Sequence, residues 1–290
     1  MNKWKKICYG ALPFLAAMML MYILIFLFLM GSGVAWGLFH YEQIKADDYG
    51  FAGLFADEAW LGKVQIFGSC FVYIVFLFVF GIWYKKKFSP SEHAVVRIGN
   101  LPLLAGILVF GTSVQCFCSY ALNLILPLFP ETNRRYTELM DSMGTGKGIV
   151  PLLYMGILAP VVEELIFRGL VLGYEKRELP FWCANFIQAF LFGVYHQNIV
   201  QFVYAFCIGI FLGYLCQRLQ SLKLVMLIHG VINISGNLIA YFKLDFLIGG
   251  KTAMVMGMLA SMIFAVISCL YLLCGKGKFV SDTKRIVNGK

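Results

Sequence analysis

An all-α, polytopic transmembrane bundle of about eight helices, with both termini in the cytoplasm, follows from three properties of this sequence. Of its 290 residues 60% are apolar and 13% charged, and the mean hydropathy of +0.79 lies far from soluble domains, in which about a quarter of residues carry charge. Long uncharged segments recur along the whole chain. Lys and Arg fall unevenly between the connections on the two sides.

Taken in order, the first segment, 12–30, has no charged residue, close to the ~20 residues that cross about 30 Å of hydrocarbon at 1.5 Å per residue. Lys precedes it as in a signal peptide, but the apolar run is longer than a typical h-region and no A-x-A site follows, so an uncleaved first helix is expected. Further spans are expected at 64–84, 101–129, 149–172, 181–197, 199–216, 222–242 and 252–274. The polar interval 40–62 carries Glu42, Asp47, Asp48, Asp57 and Glu58 and is expected outside. The interval 131–148 follows Pro130 and ends on Gly144, Gly146 and Gly148, a composition suited to a mobile hinge. Neither interval is long enough for a soluble domain, and no internal repeat of the kind found in many transporters is evident. The chain therefore reads as one membrane domain in three stretches: helices one to three and their loops (1–148), a core (149–242), and a last helix with a basic tail (243–290).

The net charge of +9 is topological. With alternate connections on alternate sides, Lys3, Lys5, Lys6, Lys85, Lys86, Lys87, Arg97, Lys176, Arg177, Arg218, Lys223, Lys276, Lys278, Lys284, Arg285 and Lys290 share one side, against Lys45, Lys63, Arg134, Arg135, Lys147, Lys243 and Lys251 on the other. This positive-inside asymmetry puts both termini in the cytoplasm of a multi-pass protein of the cell membrane, most naturally a bacterial one. No nucleic-acid partner is implied; Lys85–Lys87 would sit well against anionic headgroups. The nine cysteines are scattered through the spans, and Cys116 and Cys118 lack CxxC spacing, so they read as small apolar filler.

The chemistry is concentrated in the core. Glu163, Glu164 and Arg168 stand within one apolar segment, although each ionised group in hydrocarbon costs at least about 2.5–3.5 kcal/mol. At ~100° per residue, Arg168 lies about 40° from Glu164 and about 140° from Glu163. Glu164 and Arg168 are therefore expected to pair at i,i+4, with bidentate geometry, and to anchor the helix. Glu163 is left unpaired, facing a wet cavity and poised as a general base. An ion-pair lock would need only one carboxylate, which favours a functional second one. His196 has Phe192 one turn before it on the same face. His229 and Asn233 share a face of a later helix, extended by Asn237, with Gly230 and Gly236 permitting close approach. Interhelical hydrogen bonding alone would account for Asn237 and Ser235, and less well for two histidines opposite a diglutamate.

The patterns E-E-x-x-x-R (Glu163, Glu164, Arg168), F-x-x-x-H (Phe192, His196) and H-x-x-x-N (His229, Asn233), in this order on successive apolar segments over 151–236, resemble the CAAX protease and bacteriocin-processing family of intramembrane endopeptidases, also called the Abi family. The resemblance implies an eight-helix layout and peptide-bond hydrolysis within the bilayer, with Glu163 and His196 activating water and His229 and Asn233 holding the oxyanion. It implies a membrane-associated peptide or protein substrate: prenylated CAAX proteins, bacteriocin or pheromone precursors, or small regulatory membrane proteins. By analogy with bacteria, which generally lack prenylation, peptide maturation or self-immunity is favoured over CAAX processing. No cofactor is favoured. A His₂Glu zinc set of Glu163, His196 and His229 is the metal alternative, but the sequence has no HExxH. Water is expected to enter through a cytoplasm-facing cavity, with His196 some fifteen residues into its helix. Two further readings stand beside this one: a catalytically silent scaffold or regulator using the same pocket to bind a membrane protein such as a sensor kinase, and a proton-coupled transporter.

Overall fold

The computed structural model describes residues 8–41, 58–88, 95–96, 100–244, 249–275 and 280–281. The acidic interval 40–62, apart from its ends, Arg97 and the basic tail lie outside the described residues. The chain is an all-helical, multi-pass membrane protein, with seven long apolar helices among the described residues. In chain order the elements are α1 (Leu12–Phe39), α2 (Glu58–Lys87), α3 (Leu101–Ile125), the short α4 (Pro130–Ser142), α5 (Ile149–Glu175), α6 (Phe181–Tyr195), α7 (Ile199–Leu219), α8 (Leu222–Tyr241) and α9 (Lys251–Cys274). Val95–Val96 pairs antiparallel with Val280–Ser281, which ties the α2–α3 connection to the chain beyond α9 at one end of the bundle.

Helix starts follow local chemistry. Asn100, Asn198 and Ser221 cap α3, α7 and α8 by accepting from backbone N–H groups of the first turn. Outward faces carry Met19, Phe26, Ile263 and Phe264, the surface that a bundle in lipid presents. Two differences from the sequence reading stand out. The expected fifth span is a helix of 15 residues, about 22 Å long and short of the ~30 Å core, because the chain turns at His196–Asn198 instead of continuing. The interval expected to be a hinge is mostly helical. Within α4, Asn133, Tyr136, Thr137 and Met140 share an inward face, while Glu131, Arg134, Arg135 and Glu138 form exposed ion pairs of 2.6–2.8 Å. Hydrogen bonds from Arg134 and Arg135 hold the Glu131 carboxyl down at about 2. Gly144, Gly146 and Gly148 take positive φ, and a Cβ on Gly146 would lie 2.9 Å from the backbone of Ala240 and Tyr241. These glycines make a tight turn, which Gly146 packs against α8.

The helix ends sort into two faces of the bundle. At one, Arg177 donates to the Lys87 carbonyl, Lys176 to Gln217, and Tyr9 packs on Tyr174. At the other, Gln65 donates to Ser142. Thus Lys85, Lys86, Lys87, Lys176 and Arg177 share the first face, as their assignment to alternate connections requires. α5 runs through the middle, with 56% of its membrane window buried against 11–39% for the other long helices. An aromatic-rich core (Phe76, Phe80, Phe167, Phe192, Tyr73, Tyr195) lies on its α2 and α6 side. An aliphatic core (Ile107, Leu212, Leu215, Ile228) joins α3, α7, α8 and α9. The candidate site lies at the seam between them.

α6 and α7 close on each other through small residues. A Cβ on Gly213 would stand 1.9 Å from Asn185 Oδ1 and 2.7 Å from Gln188 Nε2, the amides that donate to the Ile210 and Gly209 carbonyls at 2.9 Å. Gly213→Ala is expected to lower stability by about 1–3 kcal/mol through overpacking, read as reduced thermal stability of the purified protein in detergent, whereas Gly81→Ala, with open space around it, should leave stability unchanged.

Candidate active site

The diglutamate sits on a distorted stretch of α5. Ala159–Glu164 is α-helical, but Tyr154–Leu158 before it and Leu165–Val171 after it are π-helical, a local widening often found at functional sites. Pro160 supplies a cause for the first: it has no N–H for the Gly156 carbonyl, and its ring crowds that carbonyl. The released backbone faces α8. Asn233 Nδ2 donates to the Met155 carbonyl at 2.9 Å, and a Cβ on Gly230 would lie 2.9 Å from the Gly156 oxygen. The close approach expected from Gly230 is therefore used.

Glu164 and Arg168 pair as expected, 2.8 Å apart with both side chains fully buried. The pair is not bidentate. Arg168 Nη1 donates to Glu164 Oε1, and its Nη2 reaches the Gly209 carbonyl at 3.3 Å, so the guanidinium is divided between its own helix and α7. His229 Nδ1 meets the same Oε1 at 2.8 Å. An ionised carboxylate only accepts, which makes Nδ1 the protonated nitrogen and turns Nε2 toward Glu163, whose Oε2 is 3.8 Å away. That separation is too long for a direct hydrogen bond; a water placed off the line reaches both atoms.

Glu163, expected to be unpaired, has a partner. Tyr73 of α2 donates to its Oε1 at 3.0 Å, and Tyr195 donates to the Tyr73 hydroxyl at 3.1 Å. The sequence reading missed both tyrosines. Tyr73 stands in a span with no charge to draw notice, where an aromatic is ordinarily packing; Tyr195, adjacent to His196, was the available signal. Two polar chains thus meet here, Arg168–Glu164–His229 and Glu163–Tyr73–Tyr195, with 3.8 Å between His229 Nε2 and Glu163 Oε2.

His196 follows the fifteen residues of α6, as expected, and caps its C-terminal end; next comes Gln197 with φ of 54°, whose amide oxygen accepts from Tyr22 of α1. Its Nδ1 donates to the Phe192 carbonyl at 2.9 Å, leaving the Nε2 lone pair free. Phe192, only 1% exposed, explains its place in the pattern: Arg168 lies 4.5 Å over its ring, and both histidines meet it edge-on at 4.9 and 5.8 Å.

Glu163, His196, His229 and Asn233 line one cavity of about 750 Å³, with Tyr73, Tyr195 and Phe192 in its wall. The cavity is lined by Gln65, Asn123, Asn133 and Thr137, all toward the end of the bundle away from Lys85–Lys87, because the short α6 stops within the bundle and leaves open space beyond His196. As for a metal, the fixed Nδ1 atoms of His196 and His229 are oriented as ligand histidines commonly are. Yet among the described residues no group of three or more His, Cys, Asp or Glu side chains could hold an ion, so the donors do not fit a zinc set.

Residues 145–235 match the family model described as "Type II CAAX prenyl endopeptidase Rce1-like". The matched stretch is somewhat under a third of the chain and contains Glu163, Glu164, Arg168, Phe192, His196, His229 and Asn233, while Tyr73 falls outside it. No curated protein and no solved structure matches.

Breaking one member of a buried pair leaves the other charge without compensation. Arg168→Met is expected to destabilise the protein by about 3–5 kcal/mol, and Glu164→Gln with Arg168→Met to recover part of that loss. Reversible unfolding of the single and double variants in detergent would show a coupling well above zero; purely additive losses would mean that the pair contributes nothing as a pair.

Proposed function

We propose that this chain is an intramembrane endopeptidase hydrolysing a peptide bond of a membrane-associated protein or peptide, inserted with both termini in the cytoplasm. The observation that carries this reading is the convergence of Glu163, His196, His229 and Asn233 on one water-accessible cavity inside an otherwise apolar bundle. The family match over 145–235 supports it, since all four residues lie within it.

In this mechanism Glu163 Oε1 is held by the Tyr73 hydroxyl, so Oε2 is the atom left to act. A water in the cavity lies between Glu163 Oε2 and the His196 Nε2 lone pair. As its oxygen forms a bond to the substrate carbonyl carbon, its proton passes to Oε2. The carbonyl oxygen becomes the oxyanion, which takes the second N–H of the Asn233 amide, its first being used by the Met155 carbonyl. His229 Nε2 assists when the ring carries both protons, because Nδ1 is committed to Glu164. Collapse of the tetrahedral adduct breaks the carbon–nitrogen bond, and Glu163 returns the proton to the departing amine. Arg168 and Glu164 touch no reacting atom; they set the tautomer of His229.

Peptides accumulating in membranes of cells that express wild type or variants supply the test. Glu163→Gln should abolish cleavage, a loss of about 10²–10⁴-fold expected for a general base, and Asn233→Ala should cost about 10²–10³-fold. Unchanged peptide profiles and phenotype with Glu163→Gln would leave the scaffold in place of the enzyme. Tyr73→Phe keeps the ring and removes only the hydrogen bond to a charged group, worth about 1.5–3 kcal/mol; kcat is expected to fall about tenfold or more with KM little changed. An equal fall in Tyr195→Phe would point to the whole hydroxyl chain acting together.

A further inference from the structure

We infer, resting on the endopeptidase reading, that the substrate is an extended, uncharged peptide segment that reaches Glu163 from the face opposite the basic clusters, passing α4. Three observations carry this. The first is the cavity's place: its lining comes from the start of α2 (Gln65), the end of α3 (Asn123), α4 (Asn133) and the end of α8 (Asn237), all at the end away from Lys85–Lys87, Lys176 and Arg177. Lys and Arg counts over short connections set orientation, so this face is the outer one.

The second is the chemistry of the wall. Beyond the catalytic groups it presents amides from four long helices and α4: Gln65, Gln115, Asn123, Asn133, Gln201 and Asn237. A primary amide offers both donor and acceptor, as each peptide unit does. Among the described residues that line the cavity toward this end, the carboxylate of Asp141 is paired with Lys147 at 3.1 Å. Between these amides the wall carries Met21, Ile25, Leu122, Met140, Ile208 and Ile232, which suits the apolar side chains of such a segment.

The third is an acceptor with no partner. Asn237 is 7% exposed and lines the cavity; its Nδ2 donates to the Asn233 carbonyl at 3.1 Å, while Oδ1 is buried without a hydrogen bond. A buried orphan of this kind costs about 1–3 kcal/mol, and a backbone N–H of an extended segment laid along α8 would satisfy it, one turn from Asn233.

Cysteine labelling with a membrane-impermeant maleimide in intact cells tests the route, each signal taken as the increment over the parent chain because Cys118 lines the same cavity. Thr137→Cys, on the exposed rim, should label as fully in intact cells as after permeabilisation, and Lys86→Cys only after permeabilisation. In purified protein, labelling of Asn237→Cys should be slowed by a library of short uncharged peptides and left unchanged by farnesylcysteine methyl ester. Labelling of Thr137→Cys only after permeabilisation overturns the inference, as does protection by the prenyl compound without protection by peptides. Neither readout needs turnover, so an active Glu163→Gln variant, which defeats the endopeptidase reading, is told apart from a failure here.

Discussion

One carboxylate oxygen holds the interior together. Glu164 Oε1 receives both Arg168 and His229 at 2.8 Å, so a single atom joins α5 to α8, and through the second arm of Arg168 to the Gly209 carbonyl of α7. Inside hydrocarbon these groups have no water to turn to, and each fixes the next. Glu164 decides which nitrogen of His229 is protonated, and this leaves Nε2 facing Glu163. Arg168 compensates one of the two carboxylates that α5 carries through the centre of the bundle, and the Tyr73 hydroxyl donates to the other.

The backbone of α5 is shaped for the same purpose. Its two π-helical stretches bracket the diglutamate, and the one before Pro160 turns the Met155 carbonyl toward Asn233. Phe192 adds a rigid apolar floor against which Arg168, His196 and His229 all rest. Polar groups with few rotamers left to them give the cavity a preset geometry, which the proposed endopeptidase would use for charge stabilisation at low dielectric.

Much of this was legible in residues alone. Hydropathy marks the long helices because a membrane helix must keep its backbone bonds within itself and its side chains apolar. The Glu164–Arg168 pairing follows from helical spacing, and Gly230 from its size. Less legible were features set by what a neighbour does. Nothing in the segment around Tyr73 distinguishes a packing tyrosine from one that holds Glu163. Asn198 reads as one more polar residue between apolar runs, although it caps α7 and so ends α6 at His196. The glycines of 144–148 suit either a loose hinge or a tight turn, and only contact with the end of α8 makes them the latter.

Composition and charge, then, determined that this chain lives in a membrane, roughly where it crosses, and which few residues are too costly there to be ornament, since transfer into lipid acts on each residue by itself. Tertiary structure decided how those residues divide their bonds: one arm of Arg168 rather than two, His229 between the glutamates, Tyr73 on Glu163, and the cavity toward the end away from Lys85–Lys87. Hydrogen bonds and cavities belong to pairs of helices, and the distance between two helices is not written in the period of either one.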